Sequence, residues 1–223
     1  KRVIWIITDW YRSQSYYDQG GWRATWDGEG GGVLLNQNPH NLDLWQWMCG
    51  MPKRVKSEVY YGKHRKIEVE DDLYALVEYE NGATGCYITT VGDAPGTNRL
   101  EIDGTNGKIV VENNELTFYR LRTPEPEFNA TYKGGLGKPE VWECKIPIKG
   151  TYTSHPGIIN NFCDCILKGA KPIAPGAEGI RGLQISNAIH LSSWLNGEWV
   201  DLPVDGDLFL TKLQEHCKKP VTE

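Results

Sequence analysis

The sequence holds no apolar run near the roughly 20 residues that a membrane helix needs, and no charged-then-apolar segment opens it. A soluble, cytoplasmic protein is the expectation, with no membrane partner. A basic patch is missing too: net charge is -5 and the 24 Lys and Arg are scattered, so nucleic acid is not an expected partner. The six cysteines include no CxxC pair and no Cys/His spacing of a zinc site, which reads as reduced structural thiols and no metal. Asn129-Ala130-Thr131 fits a glycosylation sequon, but nothing else in the chain supplies a secretory context. A further absence is the GxGxxG turn between strand and helix that cradles a dinucleotide. Gly28-Glu29-Gly30-Gly31-Gly32 lacks the βαβ context, and Gly134-Gly135-Leu136-Gly137 lies in a loop between strands. Both read as turns, so this chain alone is not expected to hold a dinucleotide tightly.

What is present is a 223-residue chain with 39% hydrophobic residues, enough for one sizeable domain. Residues 2–10 read as a strand that begins with no turn before it, the pattern expected of a chain cut at a domain boundary. The apolar segment Val33 to Met48 has helical spacing and ends at Gly50 and Pro52. From Arg54 to Ile148 the period changes to two, with strands over 55–61, 73–79, 83–91, 100–102, 108–111, 116–121 and 142–148. Asn81-Gly82 and Asn106-Gly107 are hairpin dipeptides, so these strands should run antiparallel. Helices are expected over 157–168, 178–195 and 208–218, with a short strand over 198–204. The fold class that follows is α+β: a predominantly antiparallel, open-faced sheet with helices packed on one face, and no Rossmann domain. The other sheet face is left for another subunit, which makes a homo-oligomer the expectation.

Seven of the 24 aromatic residues lie among the first 26, mixed with Asp9, Arg12, Gln14, Asp18 and Arg23. Aromatic rings stack on the apolar faces of sugars while Arg, Asp and Gln read hydroxyls, so Trp10, Arg12, Tyr16, Trp22 and Arg23 are candidate carbohydrate-binding residues. Trp5 reads as core, as strand aromatics do. His155, before Pro156 at a helix start and near Tyr152, is a further candidate, although its position favours a capping or surface role. His64 and His190 do not stand out.

At 100° per residue Asn36, His40, Asp43 and Trp47 share one stripe of a helix. Pro39 removes an amide, so the helix should restart there, with Asn38 as N-cap and His40 in the first turn. The positive helix end disfavours an imidazolium, which leaves a neutral imidazole available as a base. Spacing alone favours a histidine without chemistry.

The stretch Gly30 to Gly50 resembles the helix motif GGGVLLDxGxHxxDxxxWxxG of the glucose-fructose oxidoreductase / inositol dehydrogenase (Gfo/Idh/MocA) family. The matches are Gly30, Gly31, Gly32, Val33, Leu34, Leu35, His40, Asp43, Trp47 and Gly50. The resemblance continues through Glu70-Asp71-Asp72, Tyr79 to Ala83, Leu100 to Gly104 with Gly107-Lys108-Ile109, and Ala174 to Asn187. It implies a single C-terminal substrate-binding and oligomerisation domain over 1–223, with the N-terminal domain that binds NAD or NADP absent from this chain. It also implies that His40 moves the hydroxyl proton of a sugar, cyclitol or glycoside during hydride transfer. The assisting lysine belongs to the nucleotide domain, and the cofactor-binding residues of this chain are unknown. Two positions depart from the motif: its aspartate is Asn36 and a glycine is Asn38. Asn36 can hydrogen-bond a hydroxyl or orient His40, but it cannot raise the imidazole pKa through charge. The expected function is therefore the substrate half of an NAD(P)-dependent sugar oxidoreductase, inactive alone. The alternatives are redox-assisted glycoside cleavage with the same His40, and a non-catalytic carbohydrate-binding or assembly module.

Overall fold

The computed structural model describes residues 1–150 and 153–217. Nine strands form one sheet: β1 (Arg2–Ile7), β2 (Arg54–Tyr61), β3 (Glu70–Glu78), β4 (Thr84–Thr90), β5 (Asn98–Asp103), β6 (Gly107–Glu112), β7 (Glu115–Leu121), β8 (Val141–Ile146) and β9 (Val200–Asp201). The helices are α1 (Gln14–Asp18), α2 (Pro39–Cys49), α3 (Glu125–Thr131), α4 (Ser154–Lys168), α5 (Ile180–Trp194) and α6 (Gly206–Cys217).

The strand order is β8-β7-β6-β5-β1-β4-β3-β2-β9. Two antiparallel meanders, β2 to β4 and β5 to β8, are joined by β1, which pairs antiparallel with β5 and parallel with β4. Alternating patterning locates strands but not their partners, which is why a parallel pair was not visible in it. The first strand ends at Ile7, short of the expected residue 10; at the next pair the Thr97 amide donates to Thr8 Oγ1 (2.9 Å) instead of the Thr8 carbonyl, which breaks the ladder. The strand expected over 198–204 shrinks to the two residues of β9. Of the expected last helix, Lys218 lies outside the described residues.

Register explains where the core sits. Ser57, Ala75, Tyr87, Trp5 and Leu100 pair in one row across five strands and so face one side. All five are buried, and helices α2 and α5 cover them. Trp45 of α2 stacks on Tyr87 with centroids 4.8 Å apart, and Gly85 leaves room for the indole. Helix α5 docks on β2 through hydrogen bonds: Ser57 Oγ donates to the Ile189 carbonyl (2.5 Å), and the Ser57 amide donates to Ser192 Oγ (2.9 Å). Trp5 is core as expected, its indole donating to Asn98 (3.2 Å). The opposite face stays open, with Tyr74 and Leu76 each 47% exposed. Helices α3, α4 and α6 contribute no buried residue.

Trp45→Ala removes the largest buried side chain of α2 and should destabilise the fold by about 3–5 kcal/mol. A urea titration should show a lower midpoint with an unchanged slope.

Candidate functional site

The site begins with the glycine run. Gly30 takes a positive φ of 78°, and a Cβ on Gly32 would lie 2.1 Å from the Glu70 carbonyl oxygen, so glycine is required at both positions. Glu70, 1% exposed, holds the next three amides: its carboxylate accepts from Gly32 N (2.7 Å) and Leu34 N (2.9 Å), and its carbonyl accepts from Val33 N (3.1 Å). Residues 33–37 form a turn rather than the helical segment expected ahead of Pro39, and α2 starts at Pro39 with Asn38 at the N-cap position, as expected. The restart agrees with the missing proline amide. Asn38 makes no side-chain cap, however; it is wholly buried and its amide donates to Thr89 Oγ1 instead, tying the turn to β4.

This places His40 exposed on the first turn of α2, with no hydrogen-bond partner among the described residues. Asp43 and Trp47 follow on the same exposed side, and Asp43 accepts from Gln46 (2.9 Å). Asn36 is half-buried. Its Oδ1 accepts from Gln37 Nε2 (2.6 Å) and lies 3.5 Å from the Tyr16 hydroxyl, while its amide donates to Glu29. Glu29 is held in turn by the Ala24 amide (2.7 Å). A carboxylate therefore adjoins Asn36 although the residue itself is an amide. Sequence reasoning missed Glu29, which lies seven residues upstream and reaches Asn36 only through the Gly30–Gly32 bend.

The aromatic segment joins this turn through Tyr16. The Arg12 guanidinium lies 5.2 Å and the Arg23 guanidinium 5.0 Å from its ring centroid; Arg12 also sits over Trp10 (5.4 Å) and Arg23 over Trp22 (4.4 Å). Trp10, Arg12, Tyr16, Trp22, Arg23 and Asn36 thus form one chain of contacts. His155 is not part of it: it is exposed on α4, and its polar contact among the described residues is Ser154 (3.4 Å). The helix that carries it buries nothing against the body of the domain, so nothing draws the imidazole toward Asn36; Tyr152 lies outside the described residues.

Beneath the turn lies a layer whose side chains the sequence did not single out. His190 of α5 is buried, its Nε2 3.6 Å from a Glu70 carboxylate oxygen and its Nδ1 hydrogen-bonded to the Tyr61 hydroxyl (3.2 Å). Trp26 and Trp194 pack on the imidazole at 5.7 and 5.3 Å. Burial pushes the Glu70 carboxyl up to about 7, against the pull of its backbone donors. Burial, and then the nearby His216, push His190 down to about 3. The imidazole is therefore neutral, and its approach to Glu70 is a polar contact rather than an ion pair.

Among the described residues no group of three or more His, Cys, Asp or Glu could hold a metal ion, and no helix is long and apolar enough to cross a membrane. The Gly28–Gly32 run is not a phosphate cradle: the Glu70 carboxylate already occupies the amides of Gly32 and Leu34 and would repel an anion there.

Residues 2–110 match the model of the GFO/IDH/MocA C-terminal domain. The WlbA dehydrogenase of Chromobacterium violaceum, solved with NADH and UDP-GlcNAcA, is 29% identical with a TM-score of 0.70, over 92% of this chain and 55% of that one. The WlbA dehydrogenase of Bordetella pertussis, with the same two ligands, is 26% identical with a TM-score of 0.68, over 92% and 55%. Aldose-aldose oxidoreductase from Caulobacter crescentus, complexed with glycerol, shares the fold at 18% identity with a TM-score of 0.65, over 91% and 55%. The chain therefore spans about 55% of the length of these relatives. No curated protein matched.

Glu70→Gln should cost about 2–3 kcal/mol, because an amide can accept from only one of the two buried backbone donors and turns its own NH₂ toward the other. The pH profile gives a second check. Free Glu and His titrate at 4.5 and 6.5, so between those values the wild-type pair carries one proton both folded, on Glu70, and unfolded, on His190. Its contribution to stability is level there. In Glu70→Gln only the depressed His190 remains, whose stabilisation is complete above pH 6.5 and lost as pH falls toward 3, by about 1.4 kcal/mol per pH unit. Urea midpoints across pH 4.5–6.5 should slope in the variant more than in the wild type.

Proposed function

We propose that this domain is the substrate half of an NAD(P)-dependent oxidoreductase acting on one hydroxyl of a sugar, cyclitol or glycoside, with His40 as acid-base. The observation that carries the reading is the clamped turn: Glu70 fixes the amides of residues 32–34, and the chain then delivers Asn36 and an unengaged, exposed His40 to one side of the domain. An imidazole with no protein partner is free to take or return a substrate hydroxyl proton. Asn36, anchored by Glu29, orients a hydroxyl through its amide. Trp22, 51% exposed, offers a ring face for a sugar, with Trp10 and Tyr16 beside it.

In this reading the cofactor is held by a nucleotide-binding domain, and the chain's own residues hold the sugar. When bound, a nicotinamide supplies or accepts the hydride. NADH in both WlbA structures supports a nicotinamide cofactor. Fused to or mixed with such a domain, the chain should turn over its sugar, and His40→Ala should lower the rate about 100-fold or more. An unchanged rate would remove His40 from the mechanism.

The open sheet face favours a homo-oligomer in addition. Tyr74 and Leu76 are exposed on alternate positions of β3, and Ile88 and Ile6, in register with Tyr74 across β4 and β1, extend the apolar surface. Light scattering coupled to size exclusion should give a multimer for the wild type and a smaller species for the double variant Tyr74→Glu/Leu76→Glu; identical masses would exclude this face.

A further inference from the structure

The two arginines beside Asn36 have no counter-charge. Of the chain's arginines, Arg54, Arg99, Arg122 and Arg181 pair with carboxylates. Among the described residues Arg2, Arg12, Arg23, Arg65 and Arg120 pair with no carboxylate, and of these Arg12 and Arg23 lie over one and the same ring, that of Tyr16. The local carboxylates are engaged elsewhere: Asp9 accepts from Asn98, Asp18 from Gln14, and Glu29 from Asn36 and the Ala24 amide. Arg65 stands over Tyr11 nearby, but its guanidinium is spent on the backbone carbonyls of Arg12, His64 and Val91. The Arg12 guanidinium, by contrast, gives one bond to the Tyr11 carbonyl and leaves a buried Nε without a partner, and among the described residues the Arg23 guanidinium donates no hydrogen bond.

Two like charges held on one ring repel, and the chain as a whole is acidic, so nothing in its average composition calls for an uncompensated positive pair at this point. An oxyanion would relieve the repulsion and satisfy the idle donors, and guanidinium geometry matches phosphate and carboxylate alike. The ring stack fixes both stems, so little side-chain entropy remains to be lost on binding.

We propose that Arg12 and Arg23 form an anion subsite that selects a sugar carrying a phosphate or carboxylate group. Tyr16 links the subsite to the reacting end: its ring carries both arginines and its hydroxyl approaches Asn36, four residues before His40. The anion is held at the arginines while the reacting hydroxyl meets His40. This assignment rests on the oxidoreductase reading for the role of the site and on the arginine geometry for the charge.

Calorimetric titration of the 223-residue chain with glucose 1-phosphate, glucuronate and glucose tests it. Binding of at least one anionic sugar about tenfold tighter than glucose, weakening as salt is raised, is the expected result. Tighter glucose 1-phosphate assigns the subsite to phosphate, and tighter glucuronate to carboxylate. Arg12→Met and Arg23→Met keep most of the apolar stem and should each weaken the anion about tenfold, more than they weaken glucose, with Arg→Lys variants intermediate. Thermal melts confirm that the variants are folded. Equal affinity for charged and neutral sugars, no binding of any of the three, or unchanged anion affinity in both Met variants would overturn the proposal. Turnover of a neutral sugar that depends on His40 but not on the arginines would remove the subsite and leave the oxidoreductase reading standing.

Discussion

A single buried carboxylate organises the candidate site. Glu70 opens β3, so its backbone is fixed by the sheet, while its side chain and carbonyl bind the amides of residues 32, 33 and 34. Three consecutive donors on one residue leave the glycine run little freedom, and the contact of Gly32 with the Glu70 carbonyl excludes any side chain there. The turn, the restart at Pro39 and the position of His40 all follow from this anchor. His190 and Tyr61 close the layer from below, so the clamp couples α5 and β2 to the loop above.

The cost of this arrangement is a carboxylate wholly out of water. Two backbone donors offset part of that penalty, and the remainder appears as a raised pKa. His190 accommodates the same environment by staying neutral. The pair supplies polar partners in a dry layer without placing two opposite full charges there, for which the desolvation cost could exceed the attraction gained.

Much of the scaffold was readable beforehand. Period-two patterning marked the strands of both meanders, the hairpin dipeptides marked their turns, and Pro39 marked the helix restart. The motif around His40 pointed to the family whose C-terminal domain model residues 2–110 then matched. What stayed hidden depended on contacts across long sequence separations. The parallel pairing of β1 with β4 requires knowing that β1 inserts between two meanders. Glu29 beside Asn36 depends on a bend that brings residues seven apart together, and the Glu70–His190 contact joins positions 120 residues apart. His155 had the right chemistry but lies on a helix that packs nothing toward the site.

By itself the sequence determined where strands and helices form, because periodicity, proline and glycine act within a few residues and need no partner. It also determined the motif on which His40 sits. Only the tertiary structure decided which side chains share a site: that Arg12 and Arg23 meet on Tyr16 without a carboxylate, and that an acidic residue rather than a phosphate fills the glycine turn. Charge and hydrogen-bond satisfaction are properties of neighbours in space, and the sheet's strand order, not the order of residues along the chain, sets those neighbours.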